Sequence, residues 1–462
     1  MADPSRRRLA DLGLAALVLA SILPFWVSPL LALTDWPHHL ASAHLLERYG
    51  DGVERFYALT ATPRPYMGLA LLLRALGAAL SIPVAGKVVL SLYAAALALA
   101  TRALVRAAGR DPLLAWFGPL FVHAWSLAYG FVPYVLALPP ALLAVAWWRR
   151  ALDEQGHLRP TAALLCQVVA ALFHPVGWAV SVVASAPLVA RQPSRGRKLA
   201  FASGALGVAL WIATASVWSE SAGLRHMDEQ IETSWRFTIK HRLVDFVLAY
   251  LPGNLDYVVA ALGVGALVLA VVLGRRRGPR DPMELAFWAL AITYVLAPFS
   301  LSAFGLRMTL LAPRLLQPAW LLALPLARGR LATPLAALGA IAALGHAGLL
   351  AQTHHTFGAR WQGQVEAAVR AAPRGARVRP EVSPIQGSVL NPATVRPPEA
   401  ALHAYVLFGR ADYDPLLFST PQSPVAIRAT APAIDDAAAF DVRWVQTSTG
   451  IVVVPGGPRT GR

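Results

Sequence analysis

The residues best placed to do chemistry come early, in the run Thr34-Asp35-Trp36-Pro37-His38-His39-Leu40. Thr34 or Asp35 can cap a helix whose first turn holds Pro37. On such a helix His38 and His39 follow Asp35 by three and four positions and share its face. A carboxylate beside two imidazoles suits general-base work or a divalent metal. The competing reading is an interfacial helix cap with Trp36 as its aromatic anchor.

A second group lies between positions 219 and 254, where Glu220, Arg225, His226, Asp228, Glu229, Glu232, Trp235, Arg236, Lys240 and His241 crowd together. Its spacing matches no zinc signature. A solvated loop is the ordinary account, although Asp228, Glu229 and Glu232 are suited to an ion or a hydroxylated acceptor. Arg307 and Arg314 flank an apolar run. An arginine in that setting is expensive and marks a functional-site candidate, and guanidinium pairs well with phosphate. Snorkelling or an ion pair inside the bundle is the alternative. His123, His174, Tyr129 and Tyr134 fall near outer helix ends, where each taken alone reads first as packing or interface. P-loop, dinucleotide and hydrolase signatures are absent from the sequence.

The elements that must position these groups follow from composition. Of 462 residues, 56% are hydrophobic and 14% charged, against about 25% charged in soluble domains. Apolar runs recur at roughly 9–33, 84–105, 112–129, 131–148, 160–174, 176–190, 199–218, 256–274, 283–301, 308–327 and 331–351. Each approaches the length a helix needs to cross a bilayer, which predicts an all-α polytopic membrane bundle of about 11 transmembrane helices. Phe173-His174-Pro175 divides the fifth run from the sixth, and one kinked span is the alternative there. The first run continues from Leu9 to Leu33 without a clear small-residue cleavage site and predicts a retained span.

Net charge is +16, from 41 Lys+Arg against 25 Asp+Glu. The basic residues sit between apolar runs with no aromatic interleaving, so they argue against nucleic acid. Arg6/Arg7/Arg8, Arg102/Arg106/Arg110, Arg149/Arg150, Arg191/Arg195/Arg197/Lys198, Arg275/Arg276/Arg277 and Arg328/Arg330 fall on one side when spans alternate. By the positive-inside rule that side is cytoplasmic, with the N-terminus. Two loops, 34–87 and 219–254, then face outward. The short apolar piece 66–82 carries Arg74 and is expected along the outer surface. Helical spans place the protein in an inner, cytoplasmic-type membrane. The lone Cys166 excludes an intrachain disulfide.

After 351 the composition turns polar, predicting an extracytoplasmic domain over 352–462 of α+β type. An amphipathic helix is expected at 358–372, and β-like runs at Leu402–Phe408, Val425–Ala429 and Val442–Val454.

This layout resembles the GT-C superfamily of membrane glycosyltransferases. The segments Thr34 to Leu40, Pro65-Tyr66-Met67, Ala128-Tyr129-Gly130-Phe131, Leu172-Phe173-His174-Pro175 and His403-Ala404-Tyr405-Val406-Leu407-Phe408-Gly409-Arg410 look like a bacterial, largely uncharacterised GT-C-like group. The resemblance implies a polyprenyl-phosphate sugar donor and a glycan, lipid or protein acceptor at the outer face. It makes Asp35 the acidic base of an inverting transfer. Arg307 or Arg314 is the candidate for the donor phosphate, with His38, His39, His174, Asp228, Glu229 and Glu232 as further substrate-binding candidates. Where many members carry a second acid beside the first, this chain has Trp36, and His38 or His39 is left to substitute. No cofactor is required by the sequence, and a divalent metal is compatible with it. Two other classes stay open: a lipid or glycan transporter or flippase, and a non-catalytic membrane assembly factor.

Overall fold

The computed structural model describes residues 4–59, 64–153, 156–220, 250–251, 255–274, 281–298, 301–303, 306–308, 310–328, 332–383, 388–390, 397–409, 411–417, 425–428, 430–436 and 439–456. The chain is mostly helical. The bundle is formed by α1 (Pro4–Ile22), α4 (Ile82–Ala107), α6 (Val132–Asp153), α7 (Leu158–Phe173), α8 (Pro175–Ala190), α9 (Arg195–Glu220), α10 (Leu255–Gly274), α11 (Pro282–Leu296), α12 (Leu311–Ala323) and α13 (Ala332–Ala371). Short helices α2 (Trp36–Glu47), α3 (Gly68–Gly77) and α5 (Trp125–Ala128) lie between them. Among the described residues, 6 helices are long and apolar enough to cross a membrane.

Apolar side chains explain both faces of these helices. Leu90, Leu97 and Leu104 of α4 are buried, while Leu92 and Leu99 are exposed. In water such exposure would be unfavourable by about 25 cal/mol per Å², and in lipid it is not. At one end of the bundle the arginines gather with acids. Arg102 pairs with Asp11 at 2.7 Å, Arg328 with Asp281 at 3.3 Å, and Arg149 with Asp153 at 2.6 Å. Arg6 meets Asp111, and Arg110 meets Asp281, in the same layer.

Two expectations need correcting. The run 112–129 is not one helix. It is a chain of 3₁₀ turns, Pro112–Phe117 and Pro119–Phe121, followed by α5. Pro112, Gly118 and Pro119 interrupt the hydrogen-bond ladder a continuous helix needs. Leu402–Phe408 is not a strand but part of a 3₁₀ helix, Pro398–Phe408. It is buried on nearly every side, so its backbone bonds are made locally rather than to a sheet partner. The helix expected at 358–372 is present, as the far end of α13.

The C-terminal segment forms a small sheet, with β4 (Val378–Val382) parallel to β6 (Val442–Gln446) and β6 antiparallel to β7 (Ile451–Pro455). It also joins the first loop. Strand β1 (Tyr57–Leu59) pairs antiparallel with β5 (Val425–Ile427). A hairpin of β2 (Leu301–Ala303) and β3 (Leu306–Met308) precedes α12.

Candidate functional site

Helices α2, α3, α6, α8 and α12 all begin in one place. Asp35 is the N-cap residue of α2 and His174 that of α8, while Tyr66 stands two residues before α3. Phe131 precedes α6, and Arg314 is the fourth residue of α12. Exposed amides and aligned dipoles at helix N-termini give this region positive potential. Arg314 adds a full charge on the same end of α12, which the helix dipole opposes.

The local chain explains how Asp35 is held. The Thr34 amide donates to the Ala128 carbonyl at 3.0 Å, and the Asp35 amide to the Tyr129 carbonyl at 3.3 Å. Gly130 turns the chain beside them with φ +88. His39 lies 3.1 Å through Nε2 from the Gly130 carbonyl, and its own amide donates to the Asp35 carbonyl at 3.3 Å. Burial lowers the His39 pKa to about 4, with the Gly130 hydrogen bond acting the other way. His39 is therefore neutral at pH 7 and donates to Gly130.

Arg314 is 6% exposed and stacks its guanidinium 3.7 Å from the Phe131 ring centroid. Tyr134 donates its hydroxyl to the Arg314 carbonyl. The Arg314 charge couples to the carboxylate of Asp35, which is itself 9% exposed. His174 supplies the telling contact. Its Nδ1 accepts the Val176 amide at 3.0 Å, which caps α8. A neutral imidazole has one lone-pair nitrogen, so Nε2 then carries hydrogen. That Nε2 lies 3.1 Å from Nη1 of Arg314, which also carries only hydrogen. Two N–H groups thus face each other, a contact that an acceptor seated beside both would relieve. Nε of Arg314 is also buried without a hydrogen-bond partner among the described residues. Together they form an acceptor-seeking site, suited to an anion.

Tyr66 completes the cluster. Its ring meets His174 edge-on at 5.3 Å, and its backbone has φ 77. Burial holds its hydroxyl above the usual tyrosine pKa, the Arg314 charge works against that, and the Asp35 charge adds to it.

The structure thus brings Asp35, His39, His174 and Arg314 together. His38 turns elsewhere, its ring 5.3 Å from His403 in the C-terminal segment, and His403 pairs through Nδ1 with Asp414 at 2.6 Å. Asp228, Glu229 and Glu232 lie outside the described residues. Arg307 falls in strand β3, on the hairpin before α12. Sequence reasoning did not weigh Tyr66 as a site residue, and its one signal was the Pro65-Tyr66 turn. It named His123 but not the buried polar group around it. His123 donates from Nε2 to the Ser21 carbonyl at 2.8 Å, Tyr250 donates to the His123 carbonyl at 2.7 Å, and His346 stands 6.3 Å from His123, ring to ring. Among the described residues no group of three or more His, Cys, Asp or Glu is arranged to hold a metal ion.

Comparison with known protein families, curated proteins and solved structures returns no match.

Proposed function

We propose that this chain is a membrane glycosyltransferase of GT-C type, which moves a sugar from a polyprenyl-phosphate donor to an acceptor at the extracytoplasmic face. The observation that carries the reading is a buried carboxylate, Asp35, capping α2 in the same cluster of helix ends that holds the Arg314 and His174 donors. A base and an anion site side by side are what such a transfer needs. Asp35 takes the proton of the acceptor hydroxyl as its oxygen attacks the anomeric carbon. The bond from that carbon to the donor phosphate oxygen breaks, and the phosphate leaves with the electron pair. Arg314 stabilises the added charge on the leaving phosphate. Attack opposite the leaving group inverts the anomeric carbon.

The membrane arrangement belongs to the same reading. About eleven segments cross the bilayer. The arginine–acid layer faces the cytoplasm with the N-terminus. The helix N-termini that form the site, the loop 34–87 and the C-terminal segment face outward.

Mass spectrometry of lipid-linked and surface glycans from unmodified, gene-deleted and Asp35→Asn cells tests this. A glycan lacking one sugar in both altered strains, at normal protein level, is the expected result. A defect in the deletion strain that Asp35→Asn fully rescues would overturn the Asp35 mechanism and favour a transport or assembly role.

A further inference from the structure

One residue of the cluster has no role in the transfer described above. Tyr66 follows Pro65 and adopts φ 77, a region that only glycine, asparagine and aspartate enter readily. Strain of this kind in a bulky residue persists only where the surroundings impose it, and it concentrates at functional sites. The neighbours that impose it are identifiable. The Tyr66 ring packs edge-on against His174, whose Nε2 faces Arg314, and its phenol feels the charges of both Arg314 and Asp35. Just beyond, Gly68 lies so close to the Phe173 ring that an added β-carbon would come within 2.6 Å of it. The start of α3 is therefore seated directly on the His174 turn, and Tyr66 is carried into the cluster.

We infer that the Tyr66 hydroxyl is the third donor of the anion site, giving its hydrogen to a nonbridging oxygen of the lipid phosphate held by Arg314 and His174. The inference rests on the glycosyltransferase reading and specifies how its donor is recognised. The hydroxyl keeps its proton throughout. In the transfer, the phosphate gains one negative charge as the anomeric bond breaks, and the hydrogen bond from Tyr66 strengthens with it. The strained backbone fixes the phenol beside His174, on the side of the cluster that holds Arg314.

The test uses the full chain in phosphatidylcholine nanodiscs with undecaprenyl phosphate as the probe. Binding is measured for the unmodified protein, Tyr66→Phe and Arg314→Lys, with thermal melting of each. Loss of a hydrogen bond to a charged group should weaken Tyr66→Phe about tenfold or more. Unchanged affinity in Tyr66→Phe, with Arg314→Lys weakened, overturns the Tyr66 inference and leaves the phosphate reading standing. Failure of the unmodified protein to bind the probe overturns both. Replacement of Tyr66 by 3,5-difluorotyrosine keeps the ring and hydroxyl while making the phenol more acidic. Above the second ionisation of the probe phosphate, its affinity should fall as pH rises through the ionisation of that phenol, where the unmodified protein stays flat. A purely structural Tyr66 would show no such titration.

Discussion

Gly130 and Asp35 approach so closely that a β-carbon on the glycine would stand 2.3 Å from the Asp35 amide nitrogen. Contact with backbone cannot be relieved by a rotamer change. The positive φ of Gly130 adds about 1–2 kcal/mol for any residue with a β-carbon. Gly130→Ala should therefore displace the start of α2 and with it the Asp35 carboxylate. The expected result is a loss of transfer larger than the accompanying fall in melting temperature. Equal activity in a stably folded Gly130→Ala protein would show that Asp35 tolerates the shift.

Arg314→Lys should keep the charge and lose the function. A lysine ammonium cannot stack flat on Phe131 or present two parallel donors. Donor affinity should fall by about tenfold or more. Titration of the donor against the variant measures it.

Falling pH should destabilise the protein through His39. Its folded pKa is lowered to about 4 by burial, against an ordinary value of 6.5. Between those values the unfolded chain binds a proton that the folded chain does not, so stability drops as pH falls from 6.5 towards 4 and is fully present above 6.5. Melting curves from pH 7.5 to 4.5 should show the decline. His39→Gln should be flatter over the same range than the unmodified protein.

The first loop and the C-terminal segment should come apart at Asp412. This carboxylate accepts from Arg48 at 2.7 Å and Arg55 at 3.2 Å, and Arg48 also donates to the Ala411 carbonyl at 2.8 Å. Asp412→Ala leaves the partly buried Arg48 without its anion and should lower stability by about 1.5–3 kcal/mol. Once Arg48 is already alanine, the same change should have a smaller effect. Limited proteolysis and melting of the two single variants and the double variant give the coupling.

The sequence was informative where one residue type has one meaning. The apolar runs named most of the helices, because nothing but burial or lipid explains runs of that length. Pro175 after His174 marked the break between α7 and α8, since proline is at home in a first helical turn. Asp35 and Arg314 were visible because charge is rare in such surroundings. What stayed hidden depends on partners distant in the chain. Strand β1 is three residues long and exists through β5, which lies more than 360 positions away. Leu402–Phe408 has no alternation, and an apolar run of that length fits strand and helix equally until its neighbours are known. The His174–Arg314 contact joins residues 140 positions apart and depends on which imidazole nitrogen the α8 cap engages.

Helix α13 has 40 residues without a break. At about 1.5 Å per residue it is roughly 60 Å long, twice a hydrocarbon core. Its C-terminal half is thus a rigid mast that carries the C-terminal segment beside the site. A mast of this kind has a phase. One extra residue near position 352 would swing everything beyond it by about 100°, a quarter-turn and more. Arg48 and Asp412, and the paired strands β1 and β5, would then face different directions. Seven extra residues would restore the bearing while raising the segment by about 10 Å. The height and heading of the C-terminal segment beside α2 are therefore set by a count of residues in α13.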